Sequence, residues 1–359
     1  MRRVKTAIIG CGKIGATHAL ALSKLDESEF VAVCDAQLSR AQSFADQYGV
    51  RAFDCVTEML SSADVEAVTI CTPHPLHEEP CVQAAQAGVH VLIEKPMASS
   101  LKACDAMLEA ADKHGIKLGI VSQRRLFEPV QRMKAAIDAG KIGVPVLGTF
   151  SMFSWRDQAY YESDPWRGKW ETEGGGVLVN QSPHMLDMLQ WFMGEIEEVS
   201  GYWSNLNHPY VEVEDTAVAM IRFKSGGLGN IVSSLSQKPG IYTKVHVHGA
   251  NGASVGVQTD TGATFVAGMS GITPPPFNDV WTIPGEESKL AEFEAIDRET
   301  FKGVDATTHY HQLQIQDFLQ SIRDDREPLV TGVEGRIVVE MFTAIYRSSE
   351  LGRPVRFPL

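Results

Sequence analysis

The sequence lacks long apolar runs and has no excess of basic residues. No stretch of about 18 consecutive apolar residues occurs, so it predicts no helix that spans a membrane. Acidic residues outnumber basic ones by 45 to 32, which gives a formal net charge of −13. Such a charge repels nucleic acid and anionic lipid, and we expect neither as a partner. The short apolar run after Met1 leads straight into a glycine turn, so we do not expect a signal peptide.

Cysteine is also scarce, and its spacing excludes several kinds of site. All six cysteines fall in the first third of the chain, and no two of them form a Cys-x-x-Cys pair. Each lies in or beside an apolar run, as small buried side chains do. The sequence therefore predicts no disulfide framework and no metal site, and it indicates a reducing, cytoplasmic environment.

The chain has 359 residues, which is too long for one ordinary core and favours two domains. Over its first third, short β-branched apolar runs alternate with helical patterns, which is typical of βαβ units and a parallel sheet. The predicted strands are Val4–Gly10, Phe30–Asp35, Ala67–Thr72, His90–Lys95 and Lys117–Gln123. The predicted helices are Ile14–Leu25, Arg40–Tyr48, Pro80–Ala87 and Leu101–Lys113. We interpret residues 1–122 as a doubly wound α/β domain of the Rossmann type.

From residue 123 the pattern changes, and apolar runs follow one another through glycine-containing turns. Residues 123–359 are predicted to form an α+β domain with an open, largely antiparallel sheet. Its predicted strands are Val146–Phe153, Val199–Trp203, Ala217–Phe223, Leu228–Leu235 and Thr243–Gly249. Its predicted helices are Val130–Ala139, Asn180–Phe192, Tyr310–Asp324 and Gly335–Leu351.

A Gly-x-Gly-x-x-Gly segment directly follows the first predicted strand and opens the first helix. It consists of Gly10, Cys11, Gly12, Lys13, Ile14 and Gly15. In this context the glycines permit a tight turn, close approach of a pyrophosphate to the backbone, and close packing of helix on strand. The free N–H groups of the helix N-terminus favour binding of the phosphates. We therefore predict a dinucleotide site here.

The choice between NAD and NADP depends on the end of the second strand. Asp35 stands there, 20 residues after Gly15, where a carboxylate accepts hydrogen bonds from the adenosine ribose hydroxyls. It would repel a 2′-phosphate, so NAD is favoured over NADP. Arg40 lies nearby and would favour NADP, because an arginine can bind the 2′-phosphate.

Polar residues follow the next two strands of the first domain. The segment after the third strand contains Thr72, Pro73, His74 and His77, and the segment after the fourth contains Glu94 and Lys95. The carboxyl ends of parallel strands face the cofactor crevice, so we expect these residues and Gln123 beside the nicotinamide. Lysine at the end of a buried strand is costly unless it is functional or paired, and a salt-bridged strand cap remains the alternative.

In the second domain, Asn180, His184 and Asp187 are spaced so that a helix would place them on one face. Pro183 allows this only if the helix begins near Asn180, close to a cleft. Histidine is a natural base for an alcohol at neutral pH, although a hydrogen-bonded core histidine would show the same spacing. Trp166 and Arg167 are expected to line the same pocket, with a surface loop as the alternative.

Taken together, these motifs resemble the glucose-fructose oxidoreductase/inositol dehydrogenase/rhizopine catabolism (Gfo/Idh/MocA) family along essentially the whole chain. They are Gly10 to Gly15, Thr72-Pro73-x-x-x-His77, Glu94-Lys95-Pro96, the glycine run with His184-x-x-Asp187, His311-x-x-Gln314-Ile315-x-Asp317-Phe318, and Val330-Thr331-Gly332-x-Glu334-Gly335-Arg336. The resemblance implies a Rossmann domain, then an α/β domain whose open sheet forms a homodimer or homotetramer. It makes Lys95 and His184 the catalytic residues. Asn180, Arg124, Trp166 and Arg167 are expected to contact the substrate. Inositol dehydrogenase-like members carry an aspartate where Asn180 stands, so that substrate is less strongly implied.

The expected function is NAD(H)-dependent hydride transfer to or from a hydroxyl-bearing carbon of a sugar, cyclitol or sugar derivative. Two alternatives remain open at this point. One is an NAD-using oxidoreductase or glycosidase that releases no reduced cofactor. The other is a dinucleotide-binding sensor without turnover, which the presence of both Lys95 and His184 disfavours.

Overall fold

A computed structural model describes residues 2–260, 265–266, 269–270 and 275–359. The chain divides into two compact units. The first comprises Met1–Gln123 and Thr307–Val339, and the second comprises Arg124–Ala306 and Glu340–Leu359. None of the helices in the described part of the chain combines the length and apolarity that crossing a bilayer requires.

The first unit is built on a six-stranded sheet in the order β3-β2-β1-β4-β5-β6, with every neighbouring pair parallel. The strands are β1 (Val4–Ile9), β2 (Ser28–Cys34), β3 (Arg51–Phe53), β4 (Ala67–Ile70), β5 (His90–Ile93) and β6 (Leu118–Ile120). The helices are α1 (Lys13–Lys24), α2 (Leu38–Tyr48), α3 (Val56–Ser62), α4 (Glu78–Gln86) and α5 (Leu101–His114). The order reverses between β1 and β4, which is where doubly wound sheets bind ligands.

A helix from the far end of the chain completes the core of the first unit. Helix α11 covers Ala306–Arg323, and its Ile315, Phe318 and Leu319 are buried in the same apolar cluster as Ile8 and Leu92. Gly119 in β6 permits this packing, since a side chain there would meet the Phe318 ring at 3.1 Å. A bridge between Gly119 and Thr331 ties the following segment to the same sheet edge.

The second unit contains an eight-stranded sheet in the order β15-β12-β11-β7-β10-β9-β8-β16. All neighbouring pairs are antiparallel except β7 with β10. The strands are β7 (Pro145–Phe153), β8 (Ile196–Ser204), β9 (Thr216–Phe223), β10 (Leu228–Ser234), β11 (Tyr242–Gly249), β12 (Ser254–Asp260), β15 (Phe277–Trp281) and β16 (Val355–Arg356). A separate pair consists of β13 (Phe265–Val266) and β14 (Met269–Ser270). The predicted fold class is thereby confirmed.

Helices cover one side of this larger sheet. Those of the second unit are α6 (Glu128–Asp138), α7 (Gln158–Glu162), α8 (Trp170–Glu173), α9 (Pro183–Met193) and α10 (Lys289–Lys302), while α12 (Gly332–Leu351) contributes residues to both units. Helix α9 packs against β7 and β11. Gly148 in β7 allows that close approach, because a side chain there would lie 2.7 Å from Met193 and 2.8 Å from Leu189.

The predicted start of the helix around His184 is wrong. Residues Val177–Gln181 form a π-helical turn, and α9 begins only at Pro183. Proline has no N–H to donate and its fixed φ suits the first helical position, so it sets the start of the helix. Asn180 therefore precedes α9, and it does not share a regular helical face with His184 and Asp187.

Candidate active site

The glycine turn has the close contacts that a dinucleotide turn requires. Gly10 has a φ of +101°, and a side chain there would lie 2.7 Å from the Cys71 backbone. A side chain on Gly15 would lie 2.2 Å from the Gly10 carbonyl oxygen, so only glycine lets α1 approach β1. A Cβ on Gly12 would meet nothing within 4 Å, which leaves that stretch of backbone open to a ligand. These residues fit a bound dinucleotide.

Asp35 lies beside this turn and is held by backbone donors. Its Oδ2 accepts a hydrogen bond from the Cys11 N–H, and its Oδ1 accepts one from the Gln37 N–H, both at 2.9 Å. The side chain is half-buried. Arg40 is exposed in the first turn of α2. Lys13 and Ile14 open α1, where Lys13 is exposed.

The segments after β4 and β5 are joined by a buried histidine. The two ring nitrogens of His77 lie 2.9 Å from the Thr72 carbonyl oxygen and 3.1 Å from the Met97 carbonyl oxygen. Burial lowers the pKa of His77, although these backbone contacts act in the opposite direction. Pro73 precedes a 3-10 turn at His74–Leu76, and His74 is buried. His77 therefore holds the two segments together.

Glu94 and Lys95 follow β5, and their environments differ. The Glu94 side chain is buried; its Oε1 lies 2.7 Å from His18 Nε2, and its Oε2 accepts the Lys95 backbone N–H at 3.1 Å. Lys95 is half-buried. Gln123 opens a 3-10 turn after β6, and its Oε1 has no hydrogen-bond partner among the described residues.

In the second unit, the chain presents polar side chains just before α9. Asn180 Nδ2 donates to Glu173 Oε1 at 2.5 Å and to the Tyr160 hydroxyl at 3.1 Å. Gln181 Nε2 donates to the same hydroxyl at 2.9 Å. Burial raises the pKa of Tyr160 to about 12, so this phenol stays protonated. His184 follows as the second residue of α9 and is buried.

Arg167 and Trp166 belong to the same cluster. The Arg167 guanidinium donates to the Tyr160 hydroxyl at 2.7 Å and to Asp164 at 3.1 Å. It also lies 4.3 Å from the centre of the Trp166 ring, which is a cation–π contact. The structure therefore brings Trp166, Arg167 and Asn180 together around Tyr160, a residue that the sequence analysis missed.

Arg124 and Asp187 are engaged in ion pairs of the second unit. Arg124 Nη1 donates to Asp260 Oδ2 at 2.5 Å and to Thr259 Oγ1 at 3.0 Å. Asp187 instead accepts two hydrogen bonds from Arg125, at 2.7 and 2.6 Å, and both side chains are buried. Asp187 thus anchors α9 to the segment after residue 123.

A further buried carboxylate supports the turn before α9. Glu214 accepts hydrogen bonds from the N–H groups of Gly176 at 2.7 Å and Leu178 at 2.9 Å, and from the Tyr346 hydroxyl at 2.8 Å. Burial raises its pKa to about 7, although these three donors act in the opposite direction. Neither Glu214 nor Glu173 stands at a spacing that marks it in the sequence.

Comparison with protein families identifies both parts of the chain. Residues 4–121 match the model described as the oxidoreductase family, NAD-binding Rossmann fold. Residues 134–357 match the C-terminal alpha/beta domain of the same oxidoreductase family.

Individual relatives cover from about two thirds of the chain to all of it. The scyllo-inositol 2-dehydrogenase (NAD(+)) of Bacillus subtilis is 27% identical, with 99% of this chain and 96% of that protein aligned. The myo-inositol 2-dehydrogenase of Thermotoga maritima is 32% identical over 69% of this chain and 74% of its own length. Among solved structures, the WlbA dehydrogenase of Bordetella pertussis, in complex with NADH and UDP-GlcNAcA, is 30% identical with a TM-score of 0.84, and the match covers 100% of both chains.

These matches confirm the predicted oxidoreductase activity on a hydroxyl-bearing carbon, with a Rossmann domain that binds a nicotinamide dinucleotide. The chain belongs to the Gfo/Idh/MocA family of oxidoreductases.

Proposed function

We propose that this protein is an NAD-preferring dehydrogenase that oxidises a secondary alcohol of a sugar or cyclitol. The observation that carries the proposal is the arrangement before α9. A buried histidine, His184, directly follows a segment whose amides are fixed by Tyr160 and Glu173. Fixed hydrogen-bonding groups beside a base suit a substrate with several hydroxyls. The inositol dehydrogenases among the relatives support this substrate class.

The cofactor would be held by the first unit. The turn from Gly10 to Gly15 would bind the pyrophosphate, and Asp35 would accept hydrogen bonds from the ribose hydroxyls. The segments at Thr72–His77 and Glu94–Lys95, together with Gln123, would contact the nicotinamide end. When bound in its oxidised form, the dinucleotide supplies the acceptor for the hydride. The Asp35 charge favours NAD over NADP.

The proton of the substrate hydroxyl requires a base of the protein. We assign this role to the His184 imidazole, which takes the hydroxyl proton on a ring nitrogen as the carbonyl forms. Lys95 supplies positive charge for the developing alkoxide through its ammonium group. Asn180, Arg167 and Trp166 orient the neighbouring hydroxyls and cover the apolar face of the ring. Arg124, which is paired with Asp260, would extend this binding surface.

A nucleotide-linked sugar is the second candidate substrate. It is favoured by the 30% identity to the WlbA dehydrogenase, whose structure contains UDP-GlcNAcA. A diphosphate would need local basic side chains to overcome the net charge of −13.

The decisive experiment is a spectrophotometric screen of NAD reduction against cyclitols, aldoses and nucleotide sugars. The proposal predicts stoichiometric NADH release with at least one free sugar or cyclitol. Turnover with nucleotide sugars alone would favour the second candidate. Conversion of substrate without NADH release would identify a non-releasing oxidoreductase, and tight dinucleotide binding without turnover on the whole panel would identify a sensor.

Assembly and location are part of the same proposal. One face of the larger sheet presents exposed apolar side chains on three adjacent strands, namely Tyr202, Val218, Met220 and Leu228. Covering that face in a homodimer or homotetramer would remove them from water. The six cysteines, all of them among the described residues, are free thiols, which supports a reducing cytoplasm. We also retain residues 1–122 and 123–359 as the functional division into cofactor and substrate domains.

A further inference from the structure

Three buried side chains of the first unit meet next to Lys95. His18 comes from α1, Glu94 from the end of β5, and His311 from α11. Their exposed fractions are 0%, 7% and 7%. One ligand atom of each lies within 4.8 Å of the other two. The proposed function above gives no role to either histidine.

The carboxylate of Glu94 lies between the histidines and the lysine. Its Oε1 is 2.7 Å from His18 Nε2 and 3.8 Å from His311 Nε2. Its other oxygen, Oε2, accepts the backbone N–H of Lys95 at 3.1 Å. A change in the position or charge of this carboxylate therefore directly affects the backbone of Lys95.

Electrostatics keeps Glu94 ionised in spite of its burial. Burial alone would raise the pKa of Glu94, but the hydrogen bond and the charge of His18, followed by the charges of His311 and Lys95, outweigh it and hold the pKa at about 2. The other titratable groups that face Glu94 are the Cys71 thiol, whose pKa is raised by burial, and the His77 imidazole, whose pKa is lowered by burial. Both shifts favour the uncharged form of these groups. The side chains whose charges keep Glu94 ionised are therefore the two histidines and Lys95.

The hydrogen bonds favour one form of His18. Its Nδ1 is buried and has no hydrogen-bond partner among the described residues. A proton on that nitrogen would be a buried donor without an acceptor, which costs about 1–3 kcal/mol. The proton that His18 donates to Glu94 therefore lies on Nε2.

Histidine and glutamate can both bind zinc, but the distances in this cluster favour a hydrogen bond between the side chains over a metal ion. Two ligands of one tetrahedral zinc ion, at bond lengths near 2.0–2.2 Å, lie about 3.3 Å apart. His18 Nε2 and Glu94 Oε1 are only 2.7 Å apart, which is the length of a charge-assisted hydrogen bond. A hydrogen bond between His18 Nε2 and Glu94 Oε1 therefore fits this distance better than a zinc ion bound by both atoms.

We propose that His18 and His311 are positioning residues for Lys95, which act by holding the Glu94 carboxylate ionised and in place. The ionised carboxylate fixes the backbone at Lys95 and provides the counter-charge of its ammonium group. This inference rests on the role given to Lys95 in the proposed function. Without the histidines, the buried carboxylate would bind a proton at higher pH, and Lys95 would lose both its anchor and its counter-charge.

The test compares the full pH profile of turnover in four variants of the whole enzyme. His18→Leu and His311→Leu remove the contacts to Glu94, His18→Gln retains an N–H donor, and His114→Leu removes an exposed histidine at the end of α5 as a matched control. We expect the two leucine variants at His18 and His311 to lose at least about tenfold in kcat near pH 6 and to recover most of it near pH 9, where Glu94 ionises again. His18→Gln should lose less near pH 6 than His18→Leu, and His114→Leu should follow the wild-type profile.

Three results would overturn the proposal. One is a loss of kcat that is the same at every pH and accompanies a lowered Tm, because it would show a purely structural role. Another is equal loss in His18→Gln and His18→Leu at pH 6. The third is stoichiometric zinc bound by the wild-type enzyme and lost in His311→Leu, which would make the cluster a metal site. Full activity of Lys95→Ala, by contrast, would refute the role that the proposed function gives to Lys95, whatever the histidine variants show.

Discussion

The N–H of Cys11, inside the glycine turn, donates a hydrogen bond to Asp35 Oδ2 at 2.9 Å. Asp35 thus fixes the glycine turn, and in the proposed function its negative charge would also repel a 2′-phosphate. Asparagine loses the charge and one of the two acceptor oxygens, whereas alanine loses the charge and both acceptors.

The first prediction concerns cofactor choice. The wild-type protein should bind NAD at least about tenfold more tightly than NADP, a difference of about 1.4 kcal/mol. Asp35→Asn should narrow this ratio while largely keeping NAD affinity, and Asp35→Ala should also weaken NAD binding. Dissociation constants from cofactor fluorescence measure both effects. Equal or tighter binding of NADP by the wild type would contradict the role given to Asp35.

The second prediction concerns the buried ion pair that anchors α9. Asp187→Asn leaves Arg125 buried without its charged partner, which typically costs about 3–5 kcal/mol. Replacing both residues, as in Arg125→Met with Asp187→Leu, should cost less, since no uncompensated charge remains. Urea unfolding of the single and double variants gives the two values. A double variant less stable than Asp187→Asn would refute this account of the pair.

Much of the fold could be predicted from the sequence because its signals are local. The strands β1, β2, β4 and β5 and the glycine turn can each be recognised from a few consecutive residues. The placement of α11 could not be predicted in this way. Its packing on the parallel sheet depends on Ile315 and Phe318, whose partners outside α11 lie in about the first third of the chain. An amphipathic pattern shows that a helix has a buried face, and it does not show against what.

The candidate site likewise contains residues that the sequence indicates and residues that it does not. Asp35, Lys95 and His184 can be predicted because each lies at a defined position relative to the end of a strand or helix. Tyr160 and Glu173 lie at no such position in the sequence. They belong to the candidate site because the π-helical turn places Asn180 within hydrogen-bond distance of both. That turn replaced the regular helix expected there, since Pro183 fixes the start of α9.

The third prediction concerns Tyr160 as the centre of the substrate-side cluster. Tyr160→Phe removes the acceptor shared by Asn180, Gln181 and Arg167. Asn180 and Arg167 would keep their carboxylate partners but lose the contact that joins them. We expect KM for the alcohol to rise about tenfold, because Asn180 and Arg167 would no longer be fixed in place to orient the substrate hydroxyls. Asn180→Ala should likewise act mainly on substrate affinity. NAD binding measured on the same variants should be unchanged, and a weakened NAD affinity would show a general structural defect instead.

The fourth prediction is the acid stability of the protein. The pKa of Glu94 falls from its ordinary value of 4.5 to about 2 on folding, so the folded state binds the proton less readily than the unfolded state. The carboxylate therefore contributes stability above pH 4.5, up to about 3 kcal/mol, and this contribution is lost as the pH falls towards 2. Unfolding free energies of Glu94→Gln and wild type should converge between pH 5 and pH 2. A constant difference across that range would contradict the assignment.

The last prediction concerns the chemistry. A sugar hydroxyl is far too weakly acidic to lose its proton unaided at neutral pH, so hydride transfer from its carbon requires a base and a stabilised alkoxide. His184→Ala removes the proposed base and Lys95→Ala the proposed stabilising charge. Each should lower turnover by about a hundredfold or more, the size expected for one such group, while NAD binding stays within a few-fold.

The pH profile separates the two roles. With a histidine as the base, turnover should rise with pH as the imidazole loses its proton, and His184→Ala should abolish that rising limb. Lys95→Ala should retain the limb at a lower rate, because the base is still present. If the His184 variant turned over at the wild-type rate with an unchanged profile, His184 would not be the base. Lys95 acting alone would then be the better candidate, because its amine is the other ionisable side chain assigned to this reaction.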